Sequence, residues 1–457
     1  MVLQREKPIH IWGKGIPNKN VIITFSNQSK NTEVGYDSVW SIYFSKQKAN
    51  AQPQTISVIS GNERIEVSNI LFGDVWFASG QSNMEFVVGK NIYGSLTNKD
   101  SVIASANYPL LRFNSVKKYQ SLLPLDTIKV IWTVCSPKTV SSFSAVAYFF
   151  AKKLQSDLQI PIGIIVSSIG GTKIEAWTPL EGLKNAPEFS AALHLKDTAT
   201  KLPSNYYQLK NFPSSNYNTM VAPYTKLPIK GFIWYQGEEN FYMDYSADPK
   251  FVYGEKFKTF IQSWRNAWKD NSLPFYFTEL ANYKWTNHGD KRIKSREDLP
   301  AFKCEQKKAL SLQHVNAITI SDVSDYNNIH PANKETVGNR LAFCALSEVY
   351  HKKYHPATTS FFLKMSKEKN GIRVWFTNKK GLHASNDKKL NWFWIAGTDN
   401  NFQNAETILN KKNGSVFVFN KNILSPTQIK FAWDEDAKPN LINASGMPAS
   451  CFFEKLK

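Results

Sequence analysis

The stretch "FASGQSNMEF" (residues 77–86) follows directly on the apolar run "ILFGDVWFA", so Ser82 lies in a turn at the end of a predicted strand. A serine hydroxyl is a weak nucleophile unless a base takes its proton as it attacks, and histidine suits that task because its pKa lies near neutrality. Acyl transfer also builds an oxyanion, which needs donors already in place: backbone N–H groups of a tight turn, or a side-chain amide. The chain carries candidates for each part. Gly170-Gly171 follows "IGIIVSS", the cluster "QGEEN" with Gln236, Glu238 and Asn240 follows "GFIWY", and "SDVSDYNNIHP" ends in His330. Each has a plainer reading, Ser82 as a helix N-cap, the glycines as a turn with positive φ, and His330 as a structural histidine. All four clusters follow predicted strands, however, and together they point to a hydrolase.

Those strands imply the architecture. Between residues 73 and 355, "DVWFAS", "IGIIVSS", "GFIWYQ", "PFYFTEL" and "NAITISDV" alternate with helical periodicities, including Phe143, Val146, Phe150 and Leu154, and Phe257, Phe260, Ile261, Trp264 and Trp268. Alternation of this kind predicts an α/β domain with a parallel sheet covered on both faces, whose ligand crevice lies at the carboxyl ends of the strands. The aromatic stripes belong to its core. Residues 1–72 and 356–457 hold short β-rich runs separated by turn residues, and each predicts a β-sandwich. At 457 residues the chain is long enough for such a three-domain division.

The formal charge of +19 is spread over scattered lysines with no basic stripe, which argues against nucleic acid as a partner and leaves attraction of anionic sugars as a minor reading. The four cysteines are far apart and form no metal or redox motif. No apolar run is long enough to span a membrane. His330 has no neighbouring His or Cys and no His-Glu-x-x-His helix occurs, so neither a metal nor another cofactor is implied. The opening "MVLQREKPIHIWGKG" lacks the layout of a signal peptide and reads like the inside of a β-domain, so the chain is expected to begin after a removed export segment.

"LFGDVWFASGQSNME", "PIGIIVSSIGGTKIEAW", "FIWYQGEEN" and "IHPANKETVGNRLA", with "MVLQREKPIHIWGKG" and "NLINASGMPASCFF" at the ends, resemble the sialate O-acetylesterases, carbohydrate esterases of the SGNH hydrolase group. The resemblance implies an SGNH, flavodoxin-like hydrolase domain with Ser82 as nucleophile and His330 as general base. It implies an oxyanion hole from the Ser82 and Gly171 N–H groups and an amide, Gln236 first and Asn240 second. Gln81, Glu238 and Trp177 are expected at the substrate, Glu238 also as a tie within its loop and Trp177 as a sugar-stacking wall or as packing beneath the site. The wider group carries an aspartate shortly before the histidine, where this chain has Asn327 and Asn328. Asp325 is therefore expected to orient the imidazole, with Asp322 or a Ser-His dyad as alternatives. The implied substrate is an O-acetylated carbohydrate, sialic acid before xylan or another glycan, handled in the periplasm or outside the cell. A sugar-binding protein without activity is the alternative.

Overall fold

The computed structural model describes residues 1–245, 253–287, 292–353, 358–386 and 388–456. Seven strands form the central sheet: β1 (Glu63–Gly80), β2 (Tyr108–Ser115), β3 (Thr133–Cys135), β4 (Ile162–Ser168), β5 (Gly231–Tyr235), β6 (Phe275–Thr278) and β7 (Val315–Ile318). Their order is β7-β6-β5-β1-β4-β2-β3, with every pair parallel except β2 with β3. The first strand is thus central, and the chain adds β4 on one side of it and β5 on the other. A crevice opens where the order reverses in this way. Register sharpens the point, because Gly80 pairs with both Ser168 and Tyr235, so β1, β4 and β5 end at one level.

Parallel strands buried on both faces need apolar side chains in both directions. β4 is buried at every residue, and so is β5. One face packs on α3 (Tyr253–Ala267) through Phe257, Phe260, Ile261 and Trp264. The other packs on α2 (Ala145–Leu158) and α4 (Lys334–Glu348). The expected aromatic stripes are core.

The flanking segments are β-rich. Residues before β1 supply the antiparallel pair Ile9–Lys14 with Val39–Phe44, and further strands that join β1 through Asn50–Ser60. β1 itself runs unbroken through position 72, from that β-rich region into the central sheet. After α4, two four-stranded antiparallel sheets enclose a separate core that includes Ile372, Phe393, Phe431 and Phe452. The boundary expected at 355/356 lies outside the described residues. No helix among the described residues is long and apolar enough to cross a membrane.

Candidate active site

The polypeptide leaves β1 through Gly80, whose φ is +142° and whose missing Cβ would run into the Tyr235 carbonyl oxygen. Only glycine accepts both conditions. Gln81 occupies the N-cap position of a single helical turn, α1 (Ser82–Glu85), without capping it through its side chain, and Ser82 is the turn's first residue. Ser82 is therefore not the N-cap. As the first residue of a helix its N–H has no intrahelical acceptor.

His330 reaches the same point from the segment after β7. Its Nε2 lies 2.8 Å from Ser82 Oγ across 248 positions of sequence. Burial, then the charge of Lys334, pull the imidazole pKa down to about 4. The Tyr93 ring packs beside it, with centroids 4.7 Å apart. Gly170 abuts Ser82, since a Cβ there would come within 3.3 Å of the Ser82 Cβ. Gly171 takes a φ of +65°, and no acceptor binds its N–H among the described residues.

The other expected residues serve different purposes. Gln236 is fully buried, and its Nε2 donates to the Thr172 carbonyl (2.9 Å) and to Asn240 Oδ1 (2.8 Å) while Tyr253 donates to its Oε1. Asn240, also fully buried, donates to Glu175 and Asp244, both at 2.9 Å. Both amides have spent their hydrogens and neither is free for an oxyanion. Trp177 has no exposed face: its Nε1 donates to Thr172 and the ring lies in the core, so it is packing and not a sugar wall. Gln81 is buried, and its Oε1 accepts from the Gly237 and Glu239 N–H groups at 3.3 Å, which ties the Ser82 turn to the third cluster.

Neither aspartate meets the imidazole. The exposed Asp325 accepts from the Asn327 N–H at 2.9 Å, closing its own turn. Asp322 pairs bidentately with Arg340 at 2.7 and 2.6 Å. Among the described residues no carboxylate bonds the His330 ring; the segment is held instead by Asn328 Oδ1, which accepts from the His330 backbone N–H at 2.9 Å.

Two residues that sequence reasoning passed over, Asn83 and Lys334, underlie the pair. The buried Asn83 amide donates to Glu238 Oε1 (2.7 Å) and to the carbonyl of Ile329 (3.1 Å), the residue before His330. Its Oδ1 accepts from Lys334 Nζ at 2.5 Å. One side chain thus joins the serine turn, the third cluster and the histidine segment. Glu238 thus accepts from this amide through Oε1, and its buried Oε2 has no hydrogen-bond partner among the described residues. Burial raises the Glu238 pKa and lowers that of Lys334 to about 7. Lys334 is fully buried, its ammonium over the Phe86 ring at 4.8 Å. A signal was present: Lys334, Val337 and Leu341 share the i, i+3, i+7 spacing of the buried face of α4.

The family described as carbohydrate esterase, sialic acid-specific acetylesterase, matches residues 72–347. Relatives include the sialate O-acetylesterase of Homo sapiens, 29% identical over 381 residues that cover 77% of this chain and 70% of that protein. The sialate O-acetylesterase of Mus musculus is 29% identical over 402 residues, with 77% and 72% covered. Among solved structures, a carbohydrate acetylesterase from Xanthomonas citri superposes with a TM-score of 0.87 at 29% identity, covering 99% of this chain and 97% of that one. Fold, the serine and histidine at the strand ends and a family match over more than half its length agree: this chain belongs to the carbohydrate esterases of the sialic acid-specific acetylesterase family.

Proposed function

We propose that this esterase removes O-acetyl groups from sialic acid through an acetyl-serine intermediate, with Ser82 as nucleophile and His330 as its base. The 2.8 Å contact between Ser82 Oγ and His330 Nε2 carries the reading. His330 takes the hydroxyl proton as Oγ attacks the acetyl carbonyl, and returns it to the departing sugar oxygen. Water, activated by the same nitrogen, then releases acetate. The N–H groups of Ser82 and Gly171 receive the oxyanion. The positive φ at Gly171 and the helix-start position of Ser82 favour them over the committed Gln236 and Asn240 amides.

The pair works as a dyad. Asp325 and Asp322 are engaged elsewhere, and the Asn328 and Asn83 hydrogen bonds to the backbone around His330 set the ring's position. Three structural units, 1–72, 73–355 and 356–457, and action in the periplasm or outside the cell complete the proposal. The names of the human and mouse relatives support sialic acid as the sugar.

Acetate release from O-acetylated sialic acid tests it, alongside p-nitrophenyl acetate. Ser82→Ala and His330→Ala are each expected to lower kcat by about 10³-fold or more, and Asp325→Asn by less than about threefold. Full activity of Ser82→Ala would refute the acetyl-serine route; collapse of Asp325→Asn would restore the triad.

A further inference from the structure

The polypeptide between β4 and β5 carries a cation to the glycine turn. Lys210, in the short helix Tyr206–Asn211, donates from Nζ to the Gly170 carbonyl at 2.8 Å, and a Cβ on Gly171 would lie 2.7 Å from that nitrogen. Gly170 itself touches Ser82, so the ammonium stands one residue from the nucleophile. It is half-buried, and burial lowers its pKa against the opposing pull of the Glu239 and Glu85 charges. Among the described residues no carboxylate lies within ion-pair distance of it, and one N–H of the three is used. The Tyr206 and Tyr207 rings lie 5.6 and 5.7 Å from Nζ, and Tyr206 is 61% exposed, leaving an aromatic face toward solvent.

The neighbouring acids are already engaged. Glu85 accepts from the Gly170 N–H at 2.5 Å and pairs with Lys118. Glu239 accepts from the Tyr207 hydroxyl at 2.7 Å. Lys173 is paired with Asp244 at 2.5 Å. Lys210, unlike Lys118 and Lys173, has no carboxylate in an ion pair among the described residues, and a partly desolvated ammonium gains most from an anion that brings its own charge.

We infer that Lys210, with Tyr206 and Tyr207 beside it, forms a carboxylate-binding subsite that selects acidic sugars over neutral ones. The inference rests on the proposed sialic acid substrate and names what holds its carboxylate. Ring and charge act together: the pyranose lies on tyrosine and the carboxylate meets Nζ. Glu239 opposes the preference, because its charge lies on the same turn, with Oε2 3.5 Å from the Gly171 Cβ position.

The test compares O-acetylated N-acetylneuraminic acid with its methyl ester, which removes the charge and keeps the sugar. For the wild-type chain kcat/KM is expected to be about tenfold higher on the free acid. Lys210→Met should bring that ratio to within about twofold of unity through KM, Lys210→Arg should retain most of it, and Glu239→Gln should raise it. Binding of unacetylated N-acetylneuraminic acid and its methyl ester to the same variants, by calorimetry, reads the subsite without any chemistry. Equal losses on both esters would make Lys210 a mere support for the Gly170 carbonyl, and an unchanged ratio would also overturn the inference. Failure of the esterase reading shows separately, as p-nitrophenyl acetate hydrolysis that survives Ser82→Ala.

Discussion

For His330 as the proposed base, what surrounds the ring decides when it can act. A base works in its neutral form, and a histidine with a pKa lowered to about 4 is mostly neutral once the pH is well above that value. The acid limb of kcat/KM on a neutral ester should therefore fall near pH 4 instead of near the ordinary value of about 6.5. At pH 5 the enzyme is expected to keep most of its activity, which a stopped assay of acetate release would measure. Loss of half the rate near pH 6.5 would contradict the burial and Lys334 effects on this ring. Asn83 acts at the same scale through position. Asn83→Ala removes the bond to the Ile329 carbonyl and leaves Lys334 and Glu238 facing each other without their shared amide. Its kcat is expected to fall by about 10–100-fold with a smaller change in KM, because a small displacement of the base is costly. Circular dichroism should show the fold retained.

Among the elements, the meeting of β1, β4 and β5 at one level decides the geometry. Gly80 is the residue that allows it, pairing with both neighbours while its φ lies where an L side chain is strained. Gly80→Ala should cost about 3 kcal/mol or more, from strain together with a clash on the Tyr235 carbonyl. A lowered urea midpoint and loss of turnover are the expected results. Most of this level was legible beforehand. The runs "IGIIVSS" and "GFIWY" coincide with β4 and β5 because continuous β-branched and aromatic runs suit a strand buried on both faces. The helical stripes were legible for the same reason, since an apolar period of 3.6 has one stable use in such a layer. The ends of the chain were less legible: short alternating runs announce strands but not their partners, so the continuity of β1 through position 72 had no local signature.

Across the whole molecule, the C-terminal β-region grips the segments that follow β6 and precede His330. Asn282 donates to the Ala437 carbonyl at 2.7 Å and accepts from the buried Lys303, and Tyr326 donates to the same carbonyl at 3.1 Å. Arg296 forks onto Asp434 at 2.9 and 2.7 Å. The antiparallel sheets therefore brace the approach to the histidine from outside the central sheet. Asn282→Ala would leave a buried ammonium and a carbonyl short of partners, and should destabilise the chain by about 2–4 kcal/mol, read as a shift in the denaturant midpoint. The half of the site closest to Ser82 should be less affected than the histidine segment, which hydrogen exchange would resolve.

By itself the sequence determined the element types, the order of the four polar clusters along the chain and the two side chains, Ser82 and His330, whose chemistry is strong enough to stand out. These depend on local spacing and residue type, which are written along the chain. Only the tertiary structure decided that Gln236, Asn240 and Trp177 are interior, that Asp325 turns back on its own loop, and that Asn83 and Lys334 lie beneath the pair. An amide, an indole or a carboxylate has the same formula whether it faces a substrate or a neighbouring carbonyl. Burial and competition among hydrogen-bond partners choose between those uses, and both are properties of the packed whole.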